Sequence, residues 1–241
     1  MASALKDKGV VVLGGASGIG FATALAAAAR GAIVTVTSRS GERVAQAVQR
    51  IGGLARGEVI HLENEEETSA LCKRVGALDH LVYTAGDELL LSPVARVDLA
   101  AARRAFEVRV FGALGAVKHA AAAIRPGGSI VLTHGIAGAR AQAGWAIGAA
   151  ICGAMEAMTR ALAVELAPVR VNAVSPGLVR TPLWNPIPEP DREALFREAG
   201  AKLLTKRVGE AGEIAEAYCY LMENTFTTGQ TLVVDGGGLL V

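Results

Sequence analysis

Apolar and polar positions follow two periods along this chain. Short runs of branched apolar residues recur at Val10–Leu13, Ile33–Thr37, Glu58–Leu62, His80–Thr84, Ser129–Thr133, Val169–Val174 and Thr231–Val234. Continuous runs of this kind, rather than strict alternation, belong to parallel strands covered on both faces. Between them lie helix-length stretches rich in Ala, Leu, Glu and Arg, such as Gly18–Arg30, which ends at a terminating glycine, Gly31. Two longer helical stretches are expected at Pro93–Ile124 and Gly148–Ala167. Strand–helix alternation over most of the length predicts an α/β fold built on a doubly wound parallel sheet. The alanine clusters Ala26–Ala29 and Ala120–Ala123 read as small helix formers that let helices approach that sheet. Four prolines between Pro182 and Pro190 exclude a regular helix or central strand there, so the segment at about 182–205 reads as a flap with a short helix at Arg192–Ala201.

Composition narrows this picture. A chain of 241 residues, 51% hydrophobic and 20% charged, has enough apolar surface for one large core and is most simply one domain over residues 1–241. A formal net charge of +1 gives no electrostatic reason to bind nucleic acid or an anionic membrane. Cys72, Cys152 and Cys219 are far apart and form no metal-ligand spacing. The stretch Met1–Lys8 is short and polar, and the apolar run after it is too short for a signal peptide or a membrane span. A soluble cytoplasmic protein with reduced thiols is expected.

Candidate chemistry begins at Gly14-Gly15-Ala16-Ser17-Gly18-Ile19-Gly20, which follows the first strand and opens the first helix. Glycines in that setting permit a tight turn and close approach of backbone to a pyrophosphate, with the helix N-terminus supplying N–H groups and the positive end of its dipole. About twenty residues further on, the second strand ends at Ser38-Arg39-Ser40 with no acidic residue. An acidic residue there binds a ribose 2′-hydroxyl, whereas Arg39 with Ser38 or Ser40 suits a 2′-phosphate. The expected cofactor is therefore NADP(H) in preference to NAD(H).

Taken together, these residues resemble the compact short-chain dehydrogenase/reductase family over essentially the whole chain. The resemblance is carried by Gly14, Gly18 and Gly20, by Ala85-Gly86 after the fourth strand, by Pro176-Gly177 with Val179 and Thr181, and by the closing Val234-Asp235-Gly236-Gly237. It implies a Rossmann-like seven-stranded sheet in the order 3-2-1-4-5-6-7, helices on both faces, and a homo-oligomer, dimer or tetramer, joined through the two long helices. The implied cofactor contacts are Gly14, Ser17, Gly18, Ile19, Gly20, Ser38, Arg39, His61, Leu62, Ala85, Gly86, Pro176, Gly177, Val179 and Thr181. From the residues alone, His61 and His119 read as structural.

Members of that family catalyse with Asn, Ser, Tyr and Lys. The corresponding positions here are expected at Arg109, Gly135 (or, one place earlier, His134), Ile147 and Ile151. Residues four apart share a helix face, so Ile147 and Ile151 would turn an apolar patch toward the nicotinamide. Such a site lacks general acid–base help worth roughly 10²–10⁴-fold. Weak candidates for a substitute donor are His134, which alternation would turn away if Gly135 faces the site, and Tyr83, which otherwise packs. Arg109 could anchor a substrate carboxylate or a cofactor phosphate, or pair with Glu107 or Glu88. Asp87 and Glu88 begin a loop beside the cleft, and Trp145 and Trp184 either wall the cleft or pack. Three functions compete: an atypical NADP(H)-dependent oxidoreductase acting on a small apolar or carbonyl substrate, a catalytically silent NADP(H)-binding regulatory or hetero-oligomer subunit, and a lyase or isomerase.

Overall fold

The computed structural model describes residues 4–86 and 90–241. Seven strands form its main sheet: β1 (Gly9–Leu13), β2 (Ile33–Ser38), β3 (Arg56–Val59), β4 (Leu78–Tyr83), β5 (Ile124–Thr133), β6 (Arg170–Pro176) and β9 (Thr231–Val234). They lie in the order 3-2-1-4-5-6-9, and every pairing is parallel. The seventh strand of the sheet is β9 in chain order because two-residue strands β7 (Val179–Arg180) and β8 (Gly209–Glu210) pair with each other before it. The expected architecture and strand order are those observed.

The strands are apolar on both faces because two cores need them. Val11 and Leu13 of β1 face one cluster, which also holds residues of α3 (Glu65–Val75), α4 (Leu99–Phe106), α5 (Gly112–Ala120) and α6 (Ala146–Glu165). Val10 and Val12 face the other, shared with α1 (Gly18–Ala29), α2 (Gly41–Ile51) and α8 (Ala211–Glu223). This is the period-2 alternation of a strand buried on both sides.

Helix starts and stops follow local chemistry. The Ser40 hydroxyl accepts from Arg43 N at the head of α2, and Asn64 Oδ1 accepts from Glu66 N and Glu67 N at the head of α3. Glu65, Glu66 and Glu67 in the first turn of α3 complement its dipole. Gly31, expected to end the first helix, does adopt a positive φ of 87° just beyond it.

Three expectations shift. The third strand runs Arg56–Val59 rather than Glu58–Leu62, because residues 61–64 form the turn, closed by Asn64 N–H to His61 O, that leads into the cap of α3. The stretch Pro93–Ile124 is not one helix. It contains a 3₁₀ turn (Val94–Arg96), α4, a π-helical turn (Glu107–Phe111), α5 and a second 3₁₀ turn (Ala121–Ala123). Third, α7 (Glu189–Lys202) starts earlier than Arg192 and includes Pro190, which occupies the first turn, where its missing N–H leaves no bond unmade. Trp184 and Phe196 of segment 182–205 form a small core with Val208, just beyond it. Arg180 steadies it, stacking 4.6 Å from the Phe196 ring centroid and bonding Glu193 at 2.7 Å.

Helix α6 is long and apolar enough by composition to cross a membrane. Here Ile151, Met155, Thr159 and Leu162 bury one stripe of it against the protein core.

The far end of the sheet holds a buried polar group with a stability consequence. His80 is 4% exposed, with Nδ1 2.9 Å from Ser129 Oγ. Burial pushes its pKa down to about 4, with Asp79 acting in the opposite direction. The unfolded chain therefore binds the proton more readily than the folded one between pH 6.5 and about 4. Stability should be flat above that window and fall as pH drops through it, by up to about 3 kcal/mol. Urea unfolding across this range tests it. His80→Asn should flatten the slope, and an unchanged slope in that variant would contradict the assignment.

Candidate functional site

The C-terminal ends of the parallel strands bring the sequence-predicted cofactor residues into one crevice. Between β1 and α1 the backbone passes very close to the end of β4. A Cβ on Gly14 (φ +83°) would sit 2.7 Å from Ala85 Cα, and one on Gly20 would sit 2.3 Å from Thr84 Oγ1. A Cβ on Gly18 (φ +54°) would sit 3.5 Å from the Thr181 Cβ. The turn after β1, the segment after β4 and the segment after β6 thus meet. Ser17 stands at the N-cap of α1, but its side chain makes no capping bond. The helix N-terminus therefore keeps N–H donors for an anion. This donor set, with glycines where a Cβ could not fit, suits a pyrophosphate-bearing dinucleotide.

Other predicted contacts line the same edge in different ways. Ile19 and Val179 pack in the core shared with α1 and α8. Gly177 lies against Asp235, where a Cβ would come within 2.7 Å, and its N–H donates to Val234 O at 3.0 Å. Pro176 ends β6. Ser38 Oγ accepts from Ser40 N at 3.3 Å, which shapes the loop that carries the exposed Arg39. Beyond β3, Leu62 is buried. His61 is exposed, its ring nitrogen 3.2 Å from Glu67 Oε2. His119 and Lys118 both contact Glu65 Oε1 on the surface, at 2.9 and 2.7 Å.

Two of the residues expected to face the nicotinamide, Ile147 and Ile151, pack toward the core. Ile151 is 6% exposed and packs in the core, with Ile147 partly buried against the same cluster. They do not form an apolar patch facing Gly135. The side chain that does face Gly135 is Cys152, whose Sγ would lie 3.7 Å from a Cβ there. One turn earlier on the same face, Gly148 looks onto open space. The signal was available in the sequence: Ile151, Met155 and Leu162 continue one helical apolar stripe, which is the mark of a core face. Burial pushes the Cys152 thiol pKa up, while bonds from the Gly135 and Gly138 backbone and the charge of Arg109 act against it.

Arg109 sits on the π-helical turn. Its guanidinium lies over Gly86, so that a Cβ at that position would come within 2.7 Å of Cζ and Nη1. Tyr83 is 1% exposed, and its hydroxyl donates to the Val108 carbonyl in the same turn, which ties the end of β4 to the base of Arg109. His134 turns toward β9, with Nε2 3.3 Å from Thr231 Oγ1 and Nδ1 3.2 Å from Gly135 O, and burial lowers its pKa. Trp145 lines a cavity of about 620 Å³ together with Leu91, Pro93 and Ala149, whereas Trp184 belongs to the small core of segment 182–205. Asp87 and Glu88 lie outside the described residues. Among the described residues no His, Cys, Asp and Glu cluster could hold a metal.

Comparison with known proteins agrees with this geometry. Residues 14–238 match the family model described as enoyl-(acyl carrier protein) reductase. A short-chain dehydrogenase/reductase, ucsE, of an Acremonium species is 38% identical over 99% of this chain and 98% of its own length. A small-chain dehydrogenase solved in complex with NADPH superposes with a TM-score of 0.87 at 36% identity, covering 98% of this chain and all of that one. The MalC reductase/Diels-Alderase of Malbranchea aurantiaca superposes with a TM-score of 0.93 at 28% identity over 100% of this chain and 99% of its own.

Proposed function

The chain belongs to the short-chain dehydrogenase/reductase family, and from that premise we propose that it is an NADP(H)-binding oxidoreductase whose reactive end has been rebuilt. The observation that carries this reading is a contrast within one crevice. The phosphate-binding end keeps its glycines and its uncapped helix N-terminus, while the proton-handling end presents Gly135, Gly148 and Cys152. A relative solved with NADPH supports the choice of cofactor, as do Arg39 and the absence of an acidic residue beside it.

We assign the positions equivalent to the family's Asn, Ser, Tyr and Lys to Arg109, Gly135, Gly148 and Cys152. The two glycines cannot donate a proton, and the Cys152 thiol, at the lysine position, carries a proton but no positive charge with which to hold the nicotinamide ribose. The residues a bound NADP(H) would touch are Gly14, Ser17, Gly18 and Gly20 at the pyrophosphate, Ser38 and Arg39 at the 2′-phosphate, and Ala85, Gly86, Pro176, Gly177, Val179 and Thr181 toward the nicotinamide. When bound, the nicotinamide supplies hydride transfer. The chain's own part is to orient the partners and exclude water. Conventional reduction of isolated carbonyls is weak or absent on this reading. A second reading, a silent NADP(H)-binding subunit, draws on the same missing donors.

Two measurements separate these statements. Fluorescence titration should give tighter binding of NADPH than NADH, with the preference lost in Arg39→Ala by about tenfold or more. No binding of either dinucleotide would overturn the cofactor reading. Assayed on simple ketones and aldehydes, Gly135→Ser/Gly148→Tyr/Cys152→Lys should gain roughly 10²–10⁴-fold over the parent chain. Ile147→Tyr/Ile151→Lys should gain nothing, because its new side chains enter the core. Gain in the second variant but not the first would reverse the assignment.

A further inference from the structure

One turn touches three segments at this edge of the sheet. It follows β9 and begins at Asp235. A Cβ on Gly177, in the segment after β6, would meet Asp235 Cα at 2.7 Å. At the end of the flap, a Cβ on Gly236 (φ +63°) would meet Thr205 Oγ1 at 2.6 Å, and one on Gly237 (φ +84°) would meet Leu204 Cδ1 at 2.6 Å. Gly238 is buried, and a Cβ there would lie 3.2 Å from Ile136 Cδ1 and 3.3 Å from Leu203 Cδ2. Successive glycines thus let the turn seat between the flap and the loop after β5.

Polar bonds hold the turn in that seat. Asp235 Oδ1 accepts from Gly237 N at 2.9 Å, and Oδ2 accepts from Leu239 N at 2.8 Å. On the flap side, Thr205 N donates to Gly236 O at 3.2 Å. On the other side, the Arg140 guanidinium donates to Gly238 O. Arg140 belongs to the loop whose Gly135 faces Cys152 Sγ and whose Gly138 would carry a Cβ 3.1 Å from Cys152 Cβ. The flap end and the loop over Cys152 are thus fastened to one turn. A few hydrogen bonds are a small enough restraint for local opening to break.

We propose that residues 235–239 form a latch on the reactive end of the crevice, with Asp235 and Arg140 as its positioning residues. The proposal rests on the reading of Gly135 and Cys152 as part of that end. Seated, the latch fixes loop 135–140 against Cys152 and holds the end of the flap. Unseated, it releases both walls together and opens the crevice to substrate and to solvent. Both positioning residues act through backbone. Asp235 shapes the turn, and Arg140 ties it to the loop.

The test follows the half-buried Cys152 by its rate of alkylation with iodoacetamide, read peptide by peptide by mass spectrometry, which needs neither cofactor nor turnover. Cys72, on α3, is the internal standard. Asp235→Ala and Arg140→Gln should each speed alkylation of Cys152 by about tenfold and leave Cys72 unchanged, the opening expected when one or two hydrogen bonds are lost. Arg140→Lys, which keeps a donor cation, should stay nearer the parent rate. Because the latch joins two walls, Arg140→Gln should also speed trypsin cleavage after Lys202, at the end of the flap, or after Lys206, just beyond it. An unchanged Cys152 rate in both variants overturns the proposal. So does an equal rise at Cys72 and Cys152, which marks general loosening, or faster alkylation of Cys152 with no change in flap cleavage. If Asp235→Ala fails to fold, Arg140→Gln decides alone. Failure of the parent protein to bind NADPH would instead refute the cofactor reading, and the alkylation result would stand.

Discussion

Everything at the working edge of this molecule depends on how closely the backbone between β1 and α1 passes the end of β4. Gly14 and Gly20 stand where a single added carbon would meet Ala85, Thr84 or the Gly14 carbonyl at 2.3–2.7 Å. That contact brings the uncapped start of α1 beside the segment Ala85-Gly86. It also positions Thr181, across from Gly18, as the third wall of the crevice. Close packing of this kind tolerates no small adjustment. A shift of the loop would move donors, floor and wall together.

The same contact places Gly86 under Arg109. At one end of the crevice, glycine lets backbone approach an anion. At the other, the absence of a side chain on Gly86 leaves room for the Arg109 guanidinium. The buried Tyr83 connects these features, because its hydroxyl bonds the π-helical turn that carries Arg109 while its backbone carbonyl accepts from Thr133 Oγ1 at 2.6 Å on β5.

Much of this was legible in the sequence, for physical reasons. Val/Ile/Leu runs buried on both faces announce parallel strands, and β1 alternates its side chains between two cores as such strands must. The glycine turn carried its own context, a strand before it and a helix after. What was not legible depended on exact phase or on local competition. A one-residue error on α6 exchanges a core face for a cleft face, because each step turns the helix by about 100°. On the assignment proposed above, that is how Ile147 and Ile151 stood in for Gly148 and Cys152. The end of β3 was lost to Asn64, whose cap on α3 outcompeted the apolar pattern of residues 60–62. The π-helical turn at Glu107–Phe111 has no compositional mark of its own, and it takes a tertiary bond from Tyr83.

The central claim is that one end of an inherited dinucleotide crevice is retained and the other has been remade at Arg109, Gly135, Gly148 and Cys152. A crystal structure of the NADP⁺ complex tests it most directly. The account predicts the 2′-phosphate against Arg39, the pyrophosphate at the start of α1, and the open face of the nicotinamide bounded by Arg109, Gly135, Gly148 and Cys152. A cofactor bound elsewhere, or a nicotinamide ring resting on Ile147 and Ile151, would contradict it.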